Sequence, residues 1–337
     1  MRPRQWSCEE LVECLEAPGE PEVAGGLAVV APPTATVAPD RLAAAAERLA
    51  TLPCIVVGAP GWPADAGAPE ALEVVDVAAT DDDDLAALAA TVERAPTAAT
   101  ALALHLRASD RRSVADGLVA ESALYSALQA GPEHRAWRAA TPVAHRPGAD
   151  GDDDDSGERV RVERVGDQLR IALARPERRN ALDVAMRDQL LAALAIAEAD
   201  PDLHVVLGGD GPSFCAGGDL DEFGTAPDPA TAHLVRLRRS VGAALHRLAT
   251  RTTVHVHGAN AGSGVELAAF AGRVVAGPDA TFVLPELAMG LVPGAGGTVS
   301  LPRRIGRHRT AWLALTGRPV DAATARAWGL VDAVDLI

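Results

Sequence analysis

The chain is 337 residues long, 48% apolar, and has a formal net charge of −15. This length admits two modest domains or one large one, and the apolar share supports a packed core. The negative charge argues against broad contact with nucleic acid or with an anionic membrane surface, and the absence of any lysine among the 31 basic residues excludes Schiff-base chemistry and a P-loop lysine.

In chain order, "MRPRQWSCEELVECLE" places acidic residues where a secretory signal would have an apolar core. No apolar run approaches the length of a membrane span. Cys8, Cys14, Cys54 and Cys215 fit no zinc spacing and read as reduced thiols, so the expected setting is cytoplasmic. "GLAVVAPP" predicts a strand, "PDRLAAAAERLATL" a helix and "PCIVVGAP" a strand. The four Asp residues from Asp81 to Asp84 mark a solvated loop or a helix start. "VAHRPGADGDDDDSGE", rich in Pro, Gly and Asp, predicts a flexible linker and divides the chain near residue 150.

The second half is the more legible. "RVRVERV" and "LRIALARP" predict two strands around a turn. "LDVAMRDQLLAALAIAEAD" predicts an amphipathic helix with Met186, Leu190, Leu191, Leu194 and Ile196 near one face. Then come a strand in "LHVVLGG", a Gly-rich loop, a helix from about Ala230 to Leu248, a strand in "TTVHVHG", and a strand, turn and strand in "RVVAGPDATFVLPE". This recurrence implies an α/β core of stacked β turns with helices outside. The first half echoes the order strand, helix, strand. Its "LAALAATVERAPTAATALALHL" parallels "VGAALHRLATRTTVHVHG", which suggests a divergent internal duplication.

Two segments carry candidate chemistry. In "SFCAGGDLDEF" and "GANAGSGVEL" a strand ends among small residues that bring backbone amides close to a ligand. Two such corners on neighbouring strands can converge on one oxygen as an oxyanion hole. Glu266 lies three residues after Ser263, on the same helical face, among apolar neighbours that make a charge costly. Glu286 arrives at a strand exit beside "MGLVPGAGGT". Two glutamates flanking an oxyanion hole can hold a water and exchange protons with a substrate carbon. The competing reading of Glu266 is a core carboxylate paired with an arginine such as Arg273; that of Glu286 is a helix-start acid. Ser263 lacks the outer glycines of a nucleophile elbow. His255 and His257 read as core or interface residues, Cys215 as a small buried one.

The segments "RPERRNALD", "FCAGGDL", "VHGANAGSGVELA" and "ATFVLPELAMGLVPGAGGTVSLPRRIGRHRTAWLALTGRPVDAATARAWGLVDAV" make residues 159–337 resemble the crotonase, or enoyl-CoA hydratase/isomerase, superfamily. The resemblance implies an α/β fold, a repeated ββα superhelix with surrounding helices. It implies oxyanion amides at Gly218 and Ser263, catalytic acids at Glu266 and Glu286, and a coenzyme A cradle at Arg178, Arg179, Asn180, Ala181 and Ala216. The implied activity is a lyase that adds water to an α,β-unsaturated acyl thioester, with no metal and no cofactor beyond the coenzyme A or phosphopantetheine that carries the acyl group. Alternatives on the same scaffold are double-bond isomerisation, decarboxylation and C–C cleavage; from another class, a non-catalytic assembly subunit.

Partners implied are the acyl thioester, an acyl carrier protein, and further copies of the chain in a trimer or hexamer; neither nucleic acid nor membrane is expected. Asp221 stands where the family often has a basic residue. The family's closing helices are not found after "GLVDAV", yet "GLVAESALYSALQAGPEHRAWRAA" resembles them. The expected organisation is therefore a degenerate, catalytically silent crotonase-like or helical part at 1–145, an acidic linker at 146–158, and a catalytic core at 159–337 covered by helices of the first part.

Overall fold

In Gln168–Leu173 the side chains of Leu169, Ile171 and Leu173 are buried and Arg170 is exposed, the period-two alternation of a strand with one face in the core. This strand sits inside a six-stranded sheet of the computed structural model, which describes residues 4–24, 26–33, 37–62, 72–141 and 157–336. The sheet order is Ala333–Val334, Arg273–Ala276, Thr252–Val256, His204–Gly209, Gln168–Leu173, Val160–Val165. Only the last pair is antiparallel, and it is the hairpin the sequence predicts. A separate three-stranded sheet joins Val320–Asp321, Thr281–Val283 and Ala259–Ala261. The strand, turn and strand expected after Arg273 therefore divide between two sheets.

Helix Val184–Ala199 forms as expected, with Asp183 accepting the Met186 amide as its N-cap. Its buried face is Met186, Leu190, Ala193, Leu194 and Ala197, whereas Ile196 is 46% exposed, so the expected face was rotated by the larger side chains. The helix expected from Ala230 to Leu248 is two helices, Pro229–Arg238 and Val241–Arg247. The break is fixed by Ser240, whose hydroxyl caps the second helix at Ala243. Gly242 seats that helix so close to Phe270 that an added Cβ would lie 2.6 Å from the ring.

The first half has its own parallel sheet, ordered Gln5–Trp6, Leu27–Val30, Ile55–Gly58, Val77–Ala78, with helices Cys8–Glu16 and Pro39–Leu49. The strand, helix, strand order is as expected. The later parallel fails. "TAATALALHL" aligns with a strand but forms helix Pro96–Arg107, directly after helix Asp82–Arg94. Ala and Leu favour helix, and the Ala98, Ala99, Leu102, Leu106 stripe is buried at helical spacing. Asp81 caps the preceding helix as expected, but Asp84 is buried, accepting from Trp312 and Arg318. Most of the expected linker, residues 146–156, lies outside the described residues.

One apolar core runs through both halves, joining Leu102, Leu106 and Leu128 to Val299, Leu301 and Leu313. A second cluster, around Trp6, Leu11, Leu42 and Trp62, belongs to the first half alone. Helices Asp82–Arg94, Pro96–Arg107 and Val114–Gln129 pack on helix Gly297–Thr316. Polar ties reinforce this seam: Arg307 and His308 donate to the carbonyls of Leu72 and Val75. Helix Pro132–Ala140 adds His134, which donates from Nδ1 to the Met289 carbonyl at 3.0 Å.

Candidate active site

Two loops meet at the base of a cavity of about 420 Å³. The loop after strand His204–Gly209 places Gly218 beside Leu182 through an isolated bridge, and the turn after Ala259–Ala261 opens helix Ser263–Ala268. They touch, since a Cβ added at Gly217 would lie 3.1 Å from the Ala261 carbonyl. The amides of Gly218 and Ser263 donate to no group among the described residues, and both residues line the cavity. Gly262 makes the turn at φ 46° and ψ −119°, a conformation that favours glycine.

Glu266 and Glu286 line the same cavity at 2% and 6% exposure. Oε2 of Glu266 accepts the amides of Ala295 and Gly297 at 2.7 and 2.8 Å, and among the described residues no arginine pairs with it, so the reading through Arg273 falls. Burial pushes its pKa up to about 7, although these amide bonds oppose the rise. Glu286 opens a short 3-10 turn, Glu286–Met289. Its Oε1 lies 2.5 Å from where a Cβ on Gly262 would stand, and its buried Oε2 has no hydrogen-bond partner among the described residues. Burial, then the charge of Glu266, hold its pKa well above the ordinary carboxylate range.

A third carboxylate escaped the sequence reading. Glu121, on helix Val114–Gln129 of the first half, is 2% exposed. It accepts the amides of Gly296 and Thr298 at 2.7 and 2.9 Å and the Thr298 hydroxyl at 2.7 Å. Glu266 and Glu121 thus hold alternate amides of the stretch 295–298, where helix Gly297–Thr316 begins and N–H groups lack intrahelical acceptors. Burial and the Glu266 charge push Glu121 up to about 8. The one signal in the sequence was an acidic residue inside "GLVAESALYSAL", which does not differ from an exposed helical Glu. The "GAGGT" glycines are explained by the same packing: a Cβ on Gly297 would lie 2.6 Å from Cγ of Glu266.

Of the expected coenzyme A residues, Arg178, Arg179, Asn180 and Ala181 sit on the loop after strand Gln168–Leu173 and Ala216 on the loop after His204–Gly209, and none of them lines the cavity. Arg178 reaches Asp219 at 2.9 Å and Asp221 at 2.7 Å through Nη2, so carboxylates already engage it. Asp219 also receives Arg175 at 2.6 Å. Burial raises the Asp219 pKa, but the Arg175 hydrogen bond and both arginine charges outweigh it and hold the carboxyl below its ordinary value. Asn180 is fully buried and staples the loop, accepting from the Arg175 amide and donating to the carbonyls of Asp210 and Ser213. Arg179 is exposed with φ 51°, and its carbonyl accepts the Ala216 amide. The Ala181 carbonyl accepts from Arg175. Burial pushes Cys215 up to about 11, in keeping with an inert thiol. His255 and His257 line a separate groove of about 790 Å³ that contains none of the candidate residues. Among the described residues, no set of three or more His, Cys, Asp or Glu side chains is placed to hold a metal ion.

Residues 167–336, half of the chain, match the family model described as enoyl-CoA hydratase/isomerase. The chain belongs to the enoyl-CoA hydratase/isomerase family. Among its curated relatives, it is 38% identical to 2,3-dehydroadipyl-CoA hydratase of Escherichia coli over 49% of this chain and 65% of that protein. It is 40% identical to probable enoyl-CoA hydratase EchA14 of Mycobacterium tuberculosis, over 48% and 63%. The chain thus spans slightly less than two thirds of the length of these relatives. The solved structure of enoyl-CoA hydratase from Thermoplasma volcanium aligns at TM-score 0.50 and 35% identity, covering 53% of this chain and 73% of that one. The likeness confirms the crotonase-type α/β fold expected from the sequence.

Proposed function

We propose that this family member adds water across the α,β double bond of an acyl thioester, or removes it in reverse. The observation that carries this reading is a single cavity lined by two amides without acceptors and two buried carboxylates of raised pKa. The thioester oxygen would accept from the amides of Gly218 and Ser263, which stabilises negative charge as it develops. Glu266, whose pKa near 7 leaves it the more ionised of the two at neutral pH, would take a proton as the water oxygen bonds to the β-carbon. Glu286, held protonated, would donate to the α-carbon. Proton exchange between the two carboxyls resets the site. Water and protons balance the reaction; the coenzyme A or phosphopantetheine arm only carries the acyl group.

The enoyl-CoA hydratase names among the relatives support this choice, and the likeness to 1,2-epoxyphenylacetyl-CoA isomerase of E. coli, 36% identical over 48% of this chain and 64% of that protein, keeps isomerisation as the second reading. The proposal assigns catalysis to residues 159–337 and treats residues 1–145 as a degenerate crotonase-like part, silent itself, whose helices close the site. The packing of helix Val114–Gln129 on helix Gly297–Thr316 supports that division. A cytoplasmic setting, a trimer or hexamer, and an acyl carrier protein as donor belong to the same proposal; light scattering and carrier-loaded substrates test the last two. No described helix is long and apolar enough to cross a membrane.

The test is loss of the conjugated enoyl-thioester absorbance with a mass gain of one water. Glu266→Gln should lower turnover by roughly 100- to 10,000-fold while thioester binding stays within about threefold. A Glu266→Gln enzyme with wild-type turnover would refute the assignment.

A further inference from the structure

Arg236, on helix Pro229–Arg238, lines the candidate active-site cavity and also a smaller side cavity of about 150 Å³. Leu182, Arg187, Gly294 and Ala295 line both, so the two spaces are neighbours. The guanidinium donates from Nε to the Ser122 hydroxyl at 3.2 Å, and from Nη2 to the Ser122 carbonyl at 3.4 Å and the Ser126 hydroxyl. Its face stacks on Tyr125, with Cζ 4.7 Å from the ring centroid. Nη1 donates to no group among the described residues, and no described carboxylate lies within 4.0 Å of Arg236.

The surroundings sharpen this. Arg187 is already answered by Asp188 at 2.9 Å. The carboxyl group of Glu121, in the side cavity, has both oxygens engaged by Gly296 and Thr298. Burial lowers the pKa of Arg236 even though Tyr125 and Glu121 act to raise it, as befits a cation partly removed from water. An alkyl chain filling this space would desolvate the guanidinium further and offer it nothing. A carboxylate would meet a planar donor fork already oriented by two serines and a tyrosine ring.

Resting on the acyl-thioester reading, we propose that the acyl group this site takes carries a second, free carboxylate, which pairs with Arg236 at the junction of the two cavities. Selectivity against plain alkyl chains follows from the unanswered charge as much as from the new ion pair.

Calorimetric binding of saturated thioesters separates this from turnover. Glutaryl- and adipyl-pantetheine are compared with pentanoyl- and hexanoyl-pantetheine, and hexanoyl-pantetheine with hexanoyl-CoA, on the wild type, Arg236→Gln and Arg236→Lys. At least one dicarboxylic thioester should bind the wild type about tenfold or more tighter than its alkyl match. Arg236→Gln should abolish that advantage and bind hexanoyl-pantetheine as well as before or better; Arg236→Lys should keep part of it. Equal binding of both classes to the wild type would overturn the proposal, as would an advantage that survives Arg236→Gln. So would an Arg236-dependent gain that follows the phosphates of coenzyme A rather than the acyl carboxylate. If Arg236→Gln does not fold, the wild-type and Arg236→Lys series decide. Absence of hydration with the binding difference intact would refute the function reading alone.

Discussion

Glu121→Gln perturbs a residue of the first half that lines the side cavity next to the site and holds amides of the stretch 295–298. In the folded protein Glu121 keeps its proton to about pH 8, against an ordinary value of 4.5. An unfolded chain releases that proton near 4.5, so between these limits the native state binds the extra proton and stability falls as pH rises. At 1.36 kcal/mol per pH unit, the wild type loses about 5 kcal/mol from this group by pH 8 and above. At roughly 1.5 °C per kcal/mol for a chain of this size, that corresponds to about 7 °C in Tm. Gln cannot titrate, so the variant lacks this loss. Its cost is different. One carbonyl oxygen cannot accept at both places where the carboxyl oxygens now meet the Gly296 and Thr298 amides, and one lost acceptor costs about 1–3 kcal/mol. At pH 5 the variant should therefore melt about 2–4 °C below the wild type. The gap should close or reverse by pH 9. The other groups around Glu121, namely Glu266, Glu286, Tyr125, Arg236 and His105, are present in both proteins. Thermal melts by circular dichroism at pH 5, 7 and 9 read the difference. Parallel Tm–pH curves would refute the claim that Glu121 is buried with its proton.

Ser263→Ala should leave turnover within about threefold, because the amide and not the hydroxyl is proposed to act; a loss of 100-fold or more would point to the hydroxyl instead. Gly262→Ala should do the opposite. The new Cβ would stand 2.5 Å from Oε1 of Glu286 and the backbone would be strained, so turnover should fall about 100-fold with a stability loss of roughly 1–3 kcal/mol, read by kinetics and melts together. Arg107→Ala should cost about 3–5 kcal/mol at pH 7, seen in urea unfolding. It strands Asp76, buried at 2.6 Å from Arg107, and frees the carbonyls of Leu49, Leu52 and Cys54. Turnover per folded molecule should be unchanged.

The candidate site was legible in sequence where backbone and side chain act locally. Small residues that force a turn, as at Gly262 and Gly218, and a carboxylate among apolar neighbours, as at Glu266, carry their reason within a few residues. Strand and helix order was legible for the same cause. Glu121 was not, because nothing beside it marks it as buried; its partners lie 175 and 177 positions away. The helix face around Ile196 differs from the sequence expectation because side-chain size does not fix burial: the small Ala193 and Ala197 are buried where the larger Ile196 is exposed. "TAATALALHL" was aligned with a strand by its position in a suspected repeat, when its Ala and Leu content already favoured helix. Arg178 is placed in the coenzyme A cradle by its position in "RPERRNALD"; that Asp219 and Asp221 engage it is a tertiary fact that no local pattern shows.

The division of the 295–298 amides between Glu121 and Glu266 has a consequence for biosynthesis. Glu121 is added to the nascent chain 175 residues before Gly296. At about 5–20 residues per second this is a wait of roughly 10–35 s, during which helix Val114–Gln129 has neither the amides nor the apolar surface that later cover it. The first half is therefore synthesised with an unfinished face, one that only the second half of the same polypeptide completes.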